Sequence, residues 1–181
     1  MAASDHDPIS HRPSATEDAC LSPEALSERM QEEINRAGRH GTPLACLLVT
    51  IGNLEELSRE HGSELPERTL AYVARALLAQ LRNFDRIGRP SDHELLVLLP
   101  GADGPRGEVV ARRVLDRLRT IKIEAAGERQ PLRISVGLAA WRDSLSASDL
   151  LAETRAAARR GFASEPVSNA TSVSPPALGR P

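Results

Sequence analysis

Apolar positions along the chain fall into two periodicities. Leu26, Met30 and Ile34 recur every four residues within ALSERMQEEINRAGRH, which predicts one buried face of a helix. Pro23 suits its first turn and Gly41 its end. The stretch 43–51 is almost continuously apolar, as a strand covered on both faces should be. A short helix over 54–60 stops at Gly62. Ser63 reads as the N-cap of the next helix, with Pro66 in its first turn and Glu67 within reach of a capping arrangement. Leu70, Val73, Leu77 and Leu81 carry that helix onward. A brief strand over 84–89, a turn at 90–93 and a second apolar strand over 94–99 follow, closed by Pro100 and Gly101. Val110, Val114 and Leu118 mark a helix between about 105 and 120. A strand is expected over 132–140, with 122–124 pairing to it across the Gly127 loop. The last helix, 147–161, takes Ser146 or Ser148 as its cap. The order is α-β-α-α-β-β-α-β-β-α. Its adjacent strand pairs predict an α/β chain of the α+β kind, with helices packed on an antiparallel or mixed sheet.

Composition trims this picture at both ends. Residues 1–21 lack a periodic apolar pattern, and 163–181 are rich in Pro and Ser, so both are expected to be disordered tails around a folded domain at 22–162. Lys+Arg 23 against Asp+Glu 25 leaves no basic excess, which argues against nucleic acid as a partner. The aromatics Tyr72, Phe84, Trp141 and Phe162 supply few platforms for stacked bases. No apolar run is long enough to cross a bilayer, and no secretory leader is visible, so a cytoplasmic protein is expected. Cys20 and Cys46 lack metal-site spacing; Cys46 reads as a small buried hydrophobe and Cys20 as a free thiol.

The segment DRIGRPSDHELLVLLP, residues 85–100, resembles the signature of the GGDEF domain, the diguanylate cyclase family, which reads approximately D-x-x-A-R-x-G-G-D-E-F-x-V-L-L-P. RAGRHGTPLACLLVTI resembles that family's entry into its first strand, EELSREHG a helix ending in Gly-His, and ISVGLA its late S-x-G-x-A strand. These landmarks fall in order across about 24–161. The resemblance implies a ferredoxin-like sheet related to the polymerase palm, mixed but mainly antiparallel and flanked by helices.

The same resemblance exposes departures. Joining two GTP molecules into cyclic di-GMP needs carboxylates that hold two divalent metals. The family's metal-binding aspartate at the end of the first strand matches Thr50, a neutral hydroxyl. The signature reads Ser91-Asp92-His93-Glu94-Leu95. Its two glycines, which let backbone approach phosphates, are replaced by Ser91 and by Asp92, whose charge repels them. His93 replaces an acidic ligand, and Glu94 alone is kept. Ser58 and Glu67 match two guanine-reading positions, and Arg160 matches a phosphate-binding lysine. No catalytic residue, metal or cofactor is therefore expected. For Asp92-His93-Glu94 the plain alternative is a solvated β-turn; a zinc site would need a further histidine that the spacing does not provide.

One family feature survives. Arg82-Asn83-Phe84-Asp85 gives R-x-x-D six residues ahead of Ser91, where the family carries a product-binding inhibitory site. Ungapped counting adds Arg113, with Arg112 and Arg117 as substitutes. A guanidinium offers paired donors to guanine or phosphate, and a carboxylate accepts from guanine N–H groups. The plain alternative is an i,i+3 salt bridge at a helix end. The expected function is a catalytically inactive GGDEF-like receptor for cyclic di-GMP, with a protein partner supplying input or output. A protein-interaction module that has lost nucleotide binding is the alternative, and an active cyclase ranks third.

Overall fold

The computed structural model describes residues 20–160. The main sheet has five strands in the order β1-β3-β4-β2-β7. These are β1 (Cys20–Leu21), β3 (Arg86–Ser91), β4 (Glu94–Pro100), β2 (Leu44–Ile51) and β7 (Ile134–Ala140). Only β1 with β3 is a parallel pair; β3 with β4, β4 with β2 and β2 with β7 are antiparallel. The helices are α1 (Pro23–His40), α2 (Leu54–His61), α3 (Leu65–Leu78), α4 (Gly104–Arg119) and α5 (Ala147–Arg160). A separate two-stranded sheet joins β5 (Lys122–Ala125) to β6 (Glu128–Pro131).

The run LACLLVTI makes β2 the centre of the molecule. Successive side chains of a strand point to opposite faces. Leu44, Cys46 and Leu48 join a core with Leu26, Met30 and Ile34 of α1 and Leu150 and Ala158 of α5. Ala45, Leu47, Val49 and Ile51 join a larger core with α2, α3 and α4. Two helical layers thus sandwich the sheet, which explains the unbroken apolar run. Burial pushes the Cys46 thiol up to about 12, in keeping with a hydrophobic role.

Local signals account for most boundaries. The Ser22 hydroxyl accepts from Ala25 N–H, Pro23 opens α1, and Gly41 ends it in the left-handed conformation at φ 61°. Asp103 caps α4 through Arg106 N–H, and Ser146 caps α5 by accepting from Asp149 N–H at 3.1 Å.

Several expectations are corrected. The sheet begins at Cys20, two residues before the expected boundary at 22, because Cys20 and Leu21 pair with Ile87 and Gly88. The rest of the expected N-terminal tail and the expected C-terminal tail at 163–181 lie outside the described residues. Ser63 is not a cap; Glu64 takes that place without a side-chain hydrogen bond, and Glu67 turns to Arg89 instead. Residues 122–125 pair with 128–131 and not with β7, since the Gly127 turn brings the polar run ERQP alongside first. Pro90 and Ser91 belong to β3, so the signature turn holds only Asp92 and His93.

Gly137 in β7 carries the tightest contact in the sandwich. A methyl group there would overlap the α5 backbone at Thr154 and Ala158, 2.6 Å from Ala158 Cα. Gly137→Ala is therefore expected to cost about 3 kcal/mol by overpacking, lowering the thermal midpoint by roughly 6–12 °C. Calorimetric unfolding of the two proteins checks this.

Candidate functional site

The β3–β4 hairpin has two ends, and the sequence places candidate chemistry at each. Six residues separate Asp85 from Ser91, so the two ends lie roughly 20 Å apart at strand spacing.

At the turn end, register builds the site. Thr50 stands opposite Glu94 on one side and Ser135 on the other. Strand alternation puts Thr50 and Glu94 on the face that α5 covers, in phase with Leu48 and Leu96. Arg155 of α5 reaches down to Glu94. Its Nε lies 3.0 Å and 3.1 Å from the two carboxylate oxygens and its Nη2 lies 2.6 Å from Oε2. The Ser91 hydroxyl donates to the same oxygen at 2.9 Å. The Glu94 side chain is 8% exposed and that of Arg155 35%. Burial alone would raise the Glu94 carboxyl. Hydrogen bonds from Arg155 and Ser91, with the charges of Arg155 and His93, outweigh it and hold the group below the usual range. The same hydrogen bonding to Glu94 raises Arg155.

Around this pair the other expected positions are dispersed or engaged. Asp92 and His93 are exposed in the turn, and the His93 carbonyl accepts from Ile51 N–H at 3.1 Å. Leu95 is buried in the opposite core. Glu67 is bound by Arg89 at 2.5 Å, and the Ser58 carbonyl caps α2 through Gly62 N–H. Arg160 lies on the exposed last turn of α5, whereas the α5 cation that reaches the signature is Arg155, five residues earlier. Among the described residues no group of three or more His, Cys, Asp or Glu side chains is placed to hold a metal ion. Sequence spacing missed Arg155 and Arg89, whose partners lie 61 and 22 residues away.

At the other end, the link between α3 and β3 forms a closed turn. Asp85 Oδ2 accepts from Arg82 N–H at 2.8 Å, while Asp85 N–H donates to the Arg82 carbonyl at 3.1 Å. The expected alternative, a side-chain salt bridge between Arg82 and Asp85, is corrected: the carboxylate holds the backbone and leaves the guanidinium out of an ion pair. The Arg82 guanidinium lies over the Phe84 ring, 5.9 Å from its centroid, and Phe84 is 50% exposed. Arg113 of α4 donates from Nη2 to the Gln80 carbonyl at 2.5 Å, beside this turn. Arg112 and Arg117 engage Glu108 and Thr120 on their own helix. Arg86, which the sequence reading passed over, donates to the carbonyls of Asn83 and Asp85 at 2.8 Å each. Arg82, Arg86 and Arg113 thus surround one turn with backbone or aromatic partners, and among the described residues none has a carboxylate partner.

The Glu94 pair sets a pH signature. Its lowered carboxyl contributes stability in full above the unfolded value, near 4.5, and loses it as pH falls through the lower folded value. Arg155→Ala removes the strongest of the lowering influences on Glu94, so the cost is greatest at neutral pH and closes on acidification. The expected loss at pH 7 is about 1–3 kcal/mol, below that of a fully buried pair because part of Arg155 stays in water. Thermal midpoints of both proteins between pH 3 and 7 measure it.

Comparison with known proteins identifies the fold that carries these residues. The family model described as "Diguanylate cyclase, GGDEF domain" matches residues 23–161. Diguanylate cyclase DgcP of Pseudomonas aeruginosa is 27% identical over 117 residues, which is 65% of this chain and 17% of that protein. Diguanylate cyclase DosC of Escherichia coli is 29% identical over 110 residues, 60% of this chain and 24% of that protein. The chain thus spans less than a quarter of the length of either relative. The solved structure of diguanylate cyclase SiaD in complex with its activator SiaC, from Pseudomonas aeruginosa, superposes with a TM-score of 0.73 at 28% identity, covering 78% of this chain and 56% of SiaD. With one family model spanning nearly all the described residues, and a mostly antiparallel sheet between helices, the chain belongs to the GGDEF domain family.

Proposed function

We propose that this GGDEF domain makes no cyclic di-GMP and instead binds it as a receptor or regulatory module, through Arg82, Asp85 and Arg113. The observation that carries the binding half is the 82–85 turn. Asp85 shapes it by holding Arg82 N–H, which leaves the Arg82 guanidinium in solvent with no carboxylate partner, beside Arg113. A ligand with two phosphates and two guanines suits that arrangement: guanidinium groups donate to phosphate or to guanine O6 and N7. Asp85 keeps its second oxygen for guanine N–H groups.

The loss of synthesis is supported by Thr50 and by Glu94. Phosphoryl transfer through two metals requires several anionic oxygens facing the phosphates. Here the one acidic side chain kept from the signature is paired with Arg155 and Ser91, and Thr50 beside it is neutral. Divalent ions would have to displace a charge-assisted pair to reach Glu94, and the turn's other carboxylate, Asp92, is exposed on the solvent side. No described helix is long and apolar enough to cross a membrane; a cytoplasmic location goes with this reading. A second reading, a protein-contact module, draws on the activator-bound state of SiaD.

Incubation of the chain with GTP and Mg²⁺ or Mn²⁺ is expected to yield no cyclic di-GMP by chromatography, and Thr50→Asp with His93→Asp is expected not to restore it. Clear product from the unmodified chain contradicts the proposal. In calorimetric titration with cyclic di-GMP, Arg82→Ala should lose about 1–3 kcal/mol, roughly tenfold or more in affinity. Asp85→Ala should lower discrimination against cyclic di-AMP. An Arg82→Ala protein that binds as well as the wild type makes the turn a bystander and promotes the protein-contact reading.

A further inference from the structure

We infer that the groove between α3 and the β5–β6 hairpin is a second anion site, shaped for a mononucleotide and separate from the 82–85 turn. It encloses about 390 Å³ and is lined by Arg68, Thr69, Tyr72, Arg75, Lys122 and Glu124, among others. That volume falls within the range of small-molecule sites.

Two walls present the chemistry. Arg68, Tyr72 and Arg75 are spaced four and three apart, so they share one face of α3, with the two cations roughly 10 Å apart along its axis. Facing them, β5 alternates buried Ile123 and Ala125 with exposed Lys122 and Glu124. Lys122 is the chain's one lysine. Among the described residues none of Arg68, Arg75 and Lys122 has a carboxylate within ion-pair distance, in contrast to Arg89 and Arg133 nearby in sequence. Three cations therefore converge on a groove holding one carboxylate, a balance that attracts a ligand carrying phosphate charge.

The second observation points to a ring. Tyr72 is 43% exposed, and the Arg75 guanidinium lies over it at 6.0 Å. At that distance the pair is a loose cation–π contact, and the exposed Tyr72 ring is a flat surface on which a planar group can lie beside the guanidinium. Independently, Thr69 is wholly buried, lines the groove, and has a hydroxyl without a hydrogen-bond partner. A buried hydroxyl left unpaired is costly, and a side-chain rotation that turns it toward a polar ligand atom in the groove relieves that cost. Inorganic phosphate answers the cations alone. A nucleobase carrying a phosphate answers the platform, the hydroxyl and the cations together, and Glu124 is placed to accept from a base N–H.

The test is amide NMR and calorimetric titration of the 181-residue chain with GMP, AMP and inorganic phosphate as probes. The expected result is that a mononucleotide shifts amides of 68–75 and 122–124 and binds at least tenfold more tightly than inorganic phosphate. Arg75→Glu combined with Lys122→Glu should lower that affinity tenfold or more, and Tyr72→Leu about fivefold, with thermal midpoints showing that both variants fold. Arg82→Ala should leave the nucleotide-induced shifts at 68–75 and 122–124 unchanged, which keeps this site independent of the cyclic di-GMP proposal. Three results overturn the inference: no shifts with millimolar nucleotide, phosphate binding as tight as nucleotide binding, or loss of the shifts at 68–75 and 122–124 on Arg82→Ala.

Discussion

The register of β2 against its two neighbours is the constraint from which the rest of the molecule follows. Seven consecutive residue pairs tie Leu44–Thr50 to Pro100–Glu94, and seven more tie Ala45–Ile51 to Ala140–Ile134. With both faces of β2 buried, a slip of one residue would exchange the side chains that β2 gives to the two cores and drive Thr50 into the α3–α4 side, away from Glu94. That register sets Glu94 beneath α5, where Arg155 neutralises it. It also runs β3 so that its start lies beside the end of α3 and its finish at the signature turn. A single buried strand thereby separates two pieces of chemistry along the same hairpin.

The two ends differ in how their charges are used. At the signature turn, acid and base are spent on each other: Glu94 on Arg155, Glu67 on Arg89. Such pairing removes the uncompensated negative charge that hard cations require. At the 82–85 turn one oxygen of the Asp85 carboxylate holds a backbone amide, and among the described residues the arginines there have no carboxylate partner. The same residue types therefore read as closed at one end and open at the other, and geometry rather than composition draws the distinction.

Much of this was legible in the sequence. The unbroken run at 44–51, the proline and glycine brackets of α1 and the apolar spacing of Leu70, Val73 and Leu77 in α3 each report a local physical preference and appear where expected, whereas Leu81 falls beyond the end of α3 at Leu78. The ungapped count from Arg82 picks out Arg113, and the structure places that side chain on the Gln80 carbonyl beside the turn. What stayed hidden depends on distant partners. Two residues of β1 carry no periodicity, and ERQP in β6 looks like loop because its pairing supplies what its side chains do not. Ser63 has the chemistry of a cap but sits one position too early for α3. Arg155 lies in a helical run of alanines and arginines, where nothing local singles out the one guanidinium that meets Glu94 across 61 residues.

The proposed function holds that cyclic di-GMP binding is kept at the 82–85 turn while the signature turn has lost its nucleotide chemistry. Mapping cyclic di-GMP onto the protein by backbone amide shifts tests it most directly, because the two turns lie at opposite ends of one hairpin. The account predicts saturable shifts at 80–86 and around Arg113, with the amides of 50 and 91–95 undisturbed. Shifts confined to Thr50 and Ser91–Leu95, or none at ligand concentrations well above micromolar, would contradict it.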